Sequence, residues 1–321
     1  MNPETDTPSS SKGYRFVIAA ALLWGVSGSA AKYLFNSGVT PFQLVQARLT
    51  ITAAGLFIWL GLRRPDLLRI DKRDIGYFAV FGVVGMAAVQ FTYLFAISKI
   101  NVAAAILLQY LAPTVIVLHG VVFAREKLSR TNLTALIGAT IGCYLVVGAY
   151  NLSILSMNLA GIVSGLLSAV CFAWYSIHGE YGMRRYHPWT VLFYAMVFAA
   201  LTWNICHPPL EAFRHDWRWS QWLWLFYIGI LGTLVPFGLY LEGINLIRST
   251  RASITATLEP ITAGVIAYLF LGEEMAPLQL LGAVLVIASI TLLQLTKAQD
   301  DNAPDRIRAR RQAAGDAASG Q

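Results

Sequence analysis

The chain alternates long apolar runs with short polar breaks. Each run is close to the roughly 17–25 residues that carry a helix across bilayer hydrocarbon. Ten runs predict ten spans: Tyr14–Phe35, Phe42–Leu62, Ile75–Ile97, Val102–Phe123, Leu133–Gly148, Leu159–Ile177, Trp189–Ile205, Trp222–Tyr240, Ala252–Leu271 and Leu278–Leu295. The connections leave no room for a soluble domain. The first run follows Lys12 and Arg15 and imitates a secretory leader, but its length and the runs behind it read as an uncleaved first span. Residues 1–13 form a polar tail. Residues 297–321, rich in Asp, Arg, Ala and Gly, are expected to be a disordered tail. Trp217, Trp219, Trp222 and Trp224 crowd one connection, as an interfacial belt does.

Composition agrees with this pattern. The 321 residues are 56% hydrophobic and 13% charged, against about 45–50% and 25% in soluble domains. A water-soluble enzyme is excluded on that ground. The net charge of +7 would suggest nucleic acid if it formed a face, so its distribution decides. With the N-terminus placed in the cytoplasm, the 24 Lys and Arg residues fall in cytoplasmic segments, except Lys32, Lys99, Arg214 and Arg218 outside and Arg48 within a span. That is the positive-inside asymmetry. The expectation is a multi-pass cell (inner) membrane protein with both termini cytoplasmic and no nucleic-acid partner. Its partners would be the lipid bilayer and a small-molecule substrate. Cys143, Cys171 and Cys206 sit in apolar stretches at no metal-like spacing and read as core residues, so no metal site or cofactor is expected.

The chain also repeats. At a shift of 147 residues Tyr93-Leu94 falls on Tyr240-Leu241, Pro113 on Pro260, Glu126 on Glu273 and Pro41 on Pro188; Trp24 falls on Trp174 at a shift of 150. The repeats cover 14–150 and 157–296, with five spans each. Five is odd, so the second copy lies upside down relative to the first. The charges agree: Ala-Arg-Glu-Lys-Leu-Ser-Arg at 124–130 is basic, and its counterpart Leu-Gly-Glu-Glu-Met-Ala-Pro at 271–277 is acidic. The fold class is therefore an all-α membrane protein of ten transmembrane helices in two inverted five-helix repeats. That architecture recurs in secondary transporters, because two similar halves exchanging conformations open a central site to each side in turn.

These residues resemble a family. Two five-helix copies, each with a Trp near the middle of its first helix, are similar to the drug/metabolite transporter superfamily with EamA-type repeats. Leu258-Glu259-Pro260 followed by Leu271-Gly272-Glu273 is similar to its most recognisable stretch, and Arg48 in the second span also fits. Val89-Gln90 through Leu108-Gln109-Tyr110-Leu111-Ala112-Pro113-Thr114 looks like a bacterial inner-membrane branch. The resemblance implies a carrier of small metabolites, often an exporter of amino acids, amines or related compounds. One departure is visible: the first half has Ala112-Pro113 where the second has Glu259-Pro260, so a carboxylate role there is single-copy.

Ionisable groups at membrane depth are costly and default to functional candidates. Glu259, inside the ninth span, is expected to bind a cationic group, carry a proton or pair with Arg48. Arg48 would hold a substrate carboxylate or phosphate, or form a structural ion pair. Pro113 and Pro260 remove backbone donors and predict kinks that gate the pathway. Trp24 and Trp174 are expected at matching depths, cradling a ring or an ammonium group or packing in the core. Gln90, Tyr93, Gln109, Tyr240 and Asn245 are further pore-lining candidates. Glu126 and Glu273 read as structural helix-terminus charges. Lys32 reads as a snorkelling lysine, and His119, His178, Glu180 and Glu242 as interfacial. Gly138/Gly142 and Gly161/Gly165 read as close-packing positions within one chain, which is compatible with a monomer and leaves the oligomeric state open.

No Walker A loop, His-Glu-x-x-His, Gly-x-Ser-x-Gly or EF-hand pattern occurs, so an ATP-driven pump or a familiar hydrolase has no support. The expected function is a gradient-driven carrier with its site near the midplane, lined by spans 1, 3, 4, 6, 8 and 9. A flippase or carrier for phosphorylated sugars or lipids would need several convergent basic groups. A membrane-embedded receptor or enzyme would need a polar cluster in one half only.

Overall fold

The computed structural model describes residues 7–100, 102–123, 129–150, 158–271, 276–295 and 303–319. Among them every regular element is helical. Helix α1 (Thr7–Asn36) is followed by α2 (Pro41–Arg63), which starts at a capping box between Thr40 and Gln43 with Pro41 in its first turn. Span 3 consists of α3 (Ile75–Val80), a π segment (Phe81–Ala87) and α4 (Ala88–Lys99). Span 4 consists of two half-helices, α5 (Val102–Gln109) and α6 (Ala112–Val122), and span 5 is α7 (Arg130–Val146).

The second repeat runs through the same sequence of elements. Spans 6 and 7 are α8 (Leu159–Met183) and α9 (Pro188–Cys206), and a single turn, α10 (Glu211–Arg214), precedes span 8. Span 8 enters as α11 (Trp219–Gly229), passes a second π segment (Ile230–Leu234) and continues as α12 (Val235–Ala256), which is broken at Arg248. Span 9 continues into α13 (Glu259–Leu271), and span 10 is α14 (Pro277–Leu295). Seven helical stretches are long and apolar enough to cross a membrane and Pro277–Leu293 is a shorter apolar one; α7 and the end of α12 with α13 make up the remaining spans 5 and 9.

The inverted repeat extends to irregular backbone. The two π segments fall on one another at the 147-residue shift, and so do glycines in or beside them, Gly82 with Gly229 at the end of α11 and Gly85 with Gly232. The reason is steric. A Cβ on Gly82 would lie 2.5 Å from Phe198 Cβ, and one on Gly229 would lie 2.7 Å from Ile51 Cγ2. Span 3 thus presses on span 7 as span 8 presses on span 2. The Gly138/Gly142 pair serves packing within the chain: a Cβ on Gly142 would lie 2.8 Å from Gly282 O, holding α7 against α14. Gly161 and Gly165 do the same for α8 against Ile100 and Leu108.

Helical structure extends into both tails. Helix α1 begins at Thr7, inside the expected polar tail of residues 1–13. The stretch expected to be disordered holds α15 (Pro304–Ser319), with Pro304 and Asp305 in its first turn and Ala and Arg along its length. Those are strong helix formers with a favourable start. Arg308 Nη1 donates to the carbonyls of Met183 and Tyr186, fixing α15 to the end of α8. Glu126 and Glu273 lie outside the described residues.

Candidate substrate-binding site

Proline positions the site. The helical ladder breaks at Tyr110–Leu111, just before Ala112-Pro113, and at Thr257–Leu258, just before Glu259-Pro260. A proline cannot donate to the carbonyl four residues earlier, so each span turns into two half-helices. The two breaks are repeat equivalents and meet: Tyr110 Oη, on the first, reaches the Ala256 carbonyl and Glu259 on the second.

Around this junction lies a pocket. Trp24, Ser27 and Gly28 of α1, Arg48 of α2, and Val89, Gln90 and Tyr93 of α4 line it. Gln109 and Tyr110, Phe172 of α8, Phe237 of α12 and Glu259 of α13 close it. Span 2 therefore contributes beside the six expected spans. Glu259 is buried, with Oε2 accepting from Tyr110 Oη at 2.7 Å and Oε1 from Tyr93 Oη at a long 3.4 Å.

Arg48 is also buried. Its Nε donates to Thr233 Oγ1 at 2.9 Å and Nη2 to the Gly232 carbonyl at 3.2 Å. Among the described residues it has no carboxylate partner, so Arg48 and Glu259 face one pocket without pairing. Gln90 Nε2 donates to Met86 Sδ at 3.4 Å, a weak acceptor. The indole N–H of Trp24 is buried without a partner among the described residues. The walls are aromatic: Trp24 lies edge-on to Phe237 at 5.0 Å and to Phe172 at 6.1 Å.

Trp24, Arg48, Gln90, Tyr93, Gln109 and Glu259, each singled out from sequence, come together here, while three other candidates do not reach the pocket wall. Trp174 stacks on His178 at 3.9 Å and fills the slot opened by Gly85 of the first π segment. Its repeat partner Trp24 has no such slot, so the matched pair takes different roles. Tyr240 lies behind Trp24, its hydroxyl 3.0 Å from Ser176 Oγ. Asn245 is buried on α12 with Oδ1 unpartnered among the described residues. Lys32 Nζ donates to Ile97 O, and Glu180 is buried and paired with Arg248. Of the cysteines only Cys143 is buried; Cys171 is half-buried and Cys206 exposed.

Sequence reasoning missed Tyr110, Phe172 and Phe237 as wall residues. A signal existed for Tyr110, which adjoins the proline break. Nothing in an apolar run distinguishes Phe172 or Phe237 from core phenylalanines.

Two inverted bundles of broken helices around a buried, mixed-charge pocket define a membrane transporter. The chain belongs to the EamA-like transporter family, which matches residues 11–148 and 159–295, one match to each repeat. It is similar to the uncharacterized inner membrane transporter YicL of Salmonella typhimurium, 31% identical over 290 residues (89% of this chain, 96% of that one). It is also similar to the threonine/homoserine exporter RhtA of Escherichia coli, 24% identical, covering 85% of this chain and 88% of that one. The pseudopaline exporter CntI of Pseudomonas aeruginosa is 25% identical over 75% of this chain and 82% of its own length. A solved crystal structure shares the fold with a TM-score of 0.71 at 19% identity, covering 89% of this chain and 97% of that one. The protein is a multi-pass inner-membrane transporter of small metabolites and not an enzyme.

Proposed function

We propose that the central pocket carries a small solute bearing both a carboxylate and an amino group, exported by alternating access of the two halves and driven by a proton gradient. The observation that carries this reading is Arg48 and Glu259 facing one pocket without pairing. A zwitterion supplies the missing partner of each. Its carboxylate meets the planar guanidinium, and its ammonium meets Glu259 and the faces of the surrounding aromatic rings. Relatives named as exporters of threonine/homoserine and of pseudopaline support the class.

Glu259 has a second task in this reading, as the proton carrier. Proton and ammonium compete for one carboxylate, which couples entry of one to departure of the other. Both termini face the cytoplasm, in keeping with the distribution of basic residues.

Reconstitution into liposomes tests the reading. A screen of amino acids, amines and aromatic compounds, with and without a pH gradient, is expected to give gradient-dependent flux of zwitterionic amino acids. Glu259→Gln is expected to abolish gradient-driven uptake and to weaken counterflow exchange, since the same carboxylate meets the substrate ammonium. Unchanged gradient-driven flux in that variant removes Glu259 from coupling, and absence of amino-acid flux removes the substrate class.

A further inference from the structure

Pro260 has no N–H to return to the carbonyl of Ala256. That carbonyl is instead 2.7 Å from Tyr110 Oη. The same hydroxyl is 2.7 Å from Glu259 Oε2. A phenol carries one proton, so Tyr110 donates to one of these two acceptors at a time.

The protonation of Glu259 decides which. An ionised carboxylate is the stronger acceptor and takes the Tyr110 proton, leaving the Ala256 carbonyl without a donor in a dry setting. A protonated carboxyl donates its own O–H to Tyr110 Oη, and the Tyr110 proton then goes to Ala256 O. The helix break and the carboxyl are thus joined through one hydroxyl supplied by the other repeat.

We propose that Tyr110 is the positioning residue that couples protonation of Glu259 to the α12–α13 break. The break is held when Glu259 carries a proton and loosened when it does not. This rests on the reading of Glu259 as the proton carrier. The other titratable groups around Glu259 are Tyr93 from α4, Cys143 from α7 and Arg48 from α2 across the pocket; α1 presents Trp24, Ser27 and Gly28, none of which titrates. None of these is bonded to the freed carbonyl, which Tyr110 alone reaches among the described residues.

The test uses the full-length protein in lipid nanodiscs without added solute, with two readouts across pH. Infrared difference spectra follow the protonated-carboxyl band that Glu259→Gln removes. Hydrogen–deuterium exchange, corrected for the intrinsic rate at each pH, follows the amides of residues 254–264. In wild type, exchange there is expected to rise on the order of tenfold as the carboxyl ionises, the equivalent of one buried hydrogen bond, with the same midpoint as the infrared band.

Tyr110→Phe is expected to keep a titrating carboxyl band while exchange no longer follows it. Pro260→Ala restores an N–H for the Ala256 carbonyl and is expected to flatten the pH dependence with Tyr110 intact, which keeps the proposal testable if the first variant fails to fold. A titrating band with pH-independent exchange in wild type overturns the proposal alone, as does pH-dependent exchange persisting in either variant. A Glu259 band that never titrates removes the proton-carrier reading and this proposal together.

Discussion

The chain breaks once after span 3 and once after span 8, at equivalent places in the two repeats, and the two breaks are secured in opposite ways. At the first, Ile100 is extended, and Lys32 Nζ from α1 donates to the carbonyls of Ile97 at 2.9 Å and Ile100 at 3.4 Å. At the second, Arg248 sits at φ 66°, ψ 164°. Buried Glu180 from α8 accepts from Arg248 Nε at 3.0 Å, from the Ser249 amide at 2.8 Å and from Ser249 Oγ at 2.6 Å. One half places a cation on the carbonyl end of the helix that stops, and the other places an anion on the amide end of the helix that starts. Both are favourable uses of helix termini. The repeat therefore copies backbone trajectory, and each copy solves its own hydrogen-bond accounting.

The π segments teach the same lesson. Arg48 and Thr52 of α2 hold the second one through Gly232 O, Thr233 Oγ1 and Gly229 O. Their repeat equivalents on α9 are Ala195 and Ala199, and a Cβ on Gly82 would lie 2.9 Å from Ala195 O and 3.2 Å from Ala199 N. One interface is pinned by polar side chains; the other is a contact of backbones made possible by small residues. That asymmetry is what brings Arg48 to the pocket.

The comparison of the two breaks is sharpened most by Glu180→Ala. It removes the acceptor of Arg248 Nε and of the Ser249 amide beside a backbone conformation that non-glycine residues adopt only under constraint. Loss of a buried ionic partner is expected to cost about 3 kcal/mol, read as a large drop in thermal stability in detergent. Lys32→Met leaves two carbonyls at a partly exposed helix end and is expected to cost only about 1 kcal/mol. Equal losses in the two variants would break the comparison.

The smallest effect is expected at the helix starts. Thr40 caps α2 and its equivalent His187 caps α9, its Nδ1 accepting from the Trp189 amide at 3.3 Å. Burial, then the charges of Arg308 and Arg64, hold the His187 imidazole down to about 4. A depressed histidine contributes stability that is complete above its ordinary value of about 6.5 and is lost as pH falls from there toward about 4. Thermal melting across that window is expected to show a modest decline that His187→Asn flattens. The Thr40 end has no titrating cap.

Much of the architecture was legible because membrane solvation is a one-dimensional constraint. A span must be apolar and about twenty residues long, so ten spans, their inversion and the proline breaks are written in local composition and spacing. Arg48 and Glu259 stood out for the same reason, as charges where charge is costly. The remainder depended on partners far along the chain. Tyr110 finds the Ala256 carbonyl 146 residues away, and Trp24 and Trp174 part company because only one of them meets a glycine slot. Helix α15 forms where composition suggested a loose tail, with Arg308 docked on the end of α8. Sequence by itself determined where helices run and which groups are expensive to bury. Only the tertiary structure decided which of those groups share a cavity, because hydrogen-bond satisfaction in a water-poor interior is settled between helices and not along them.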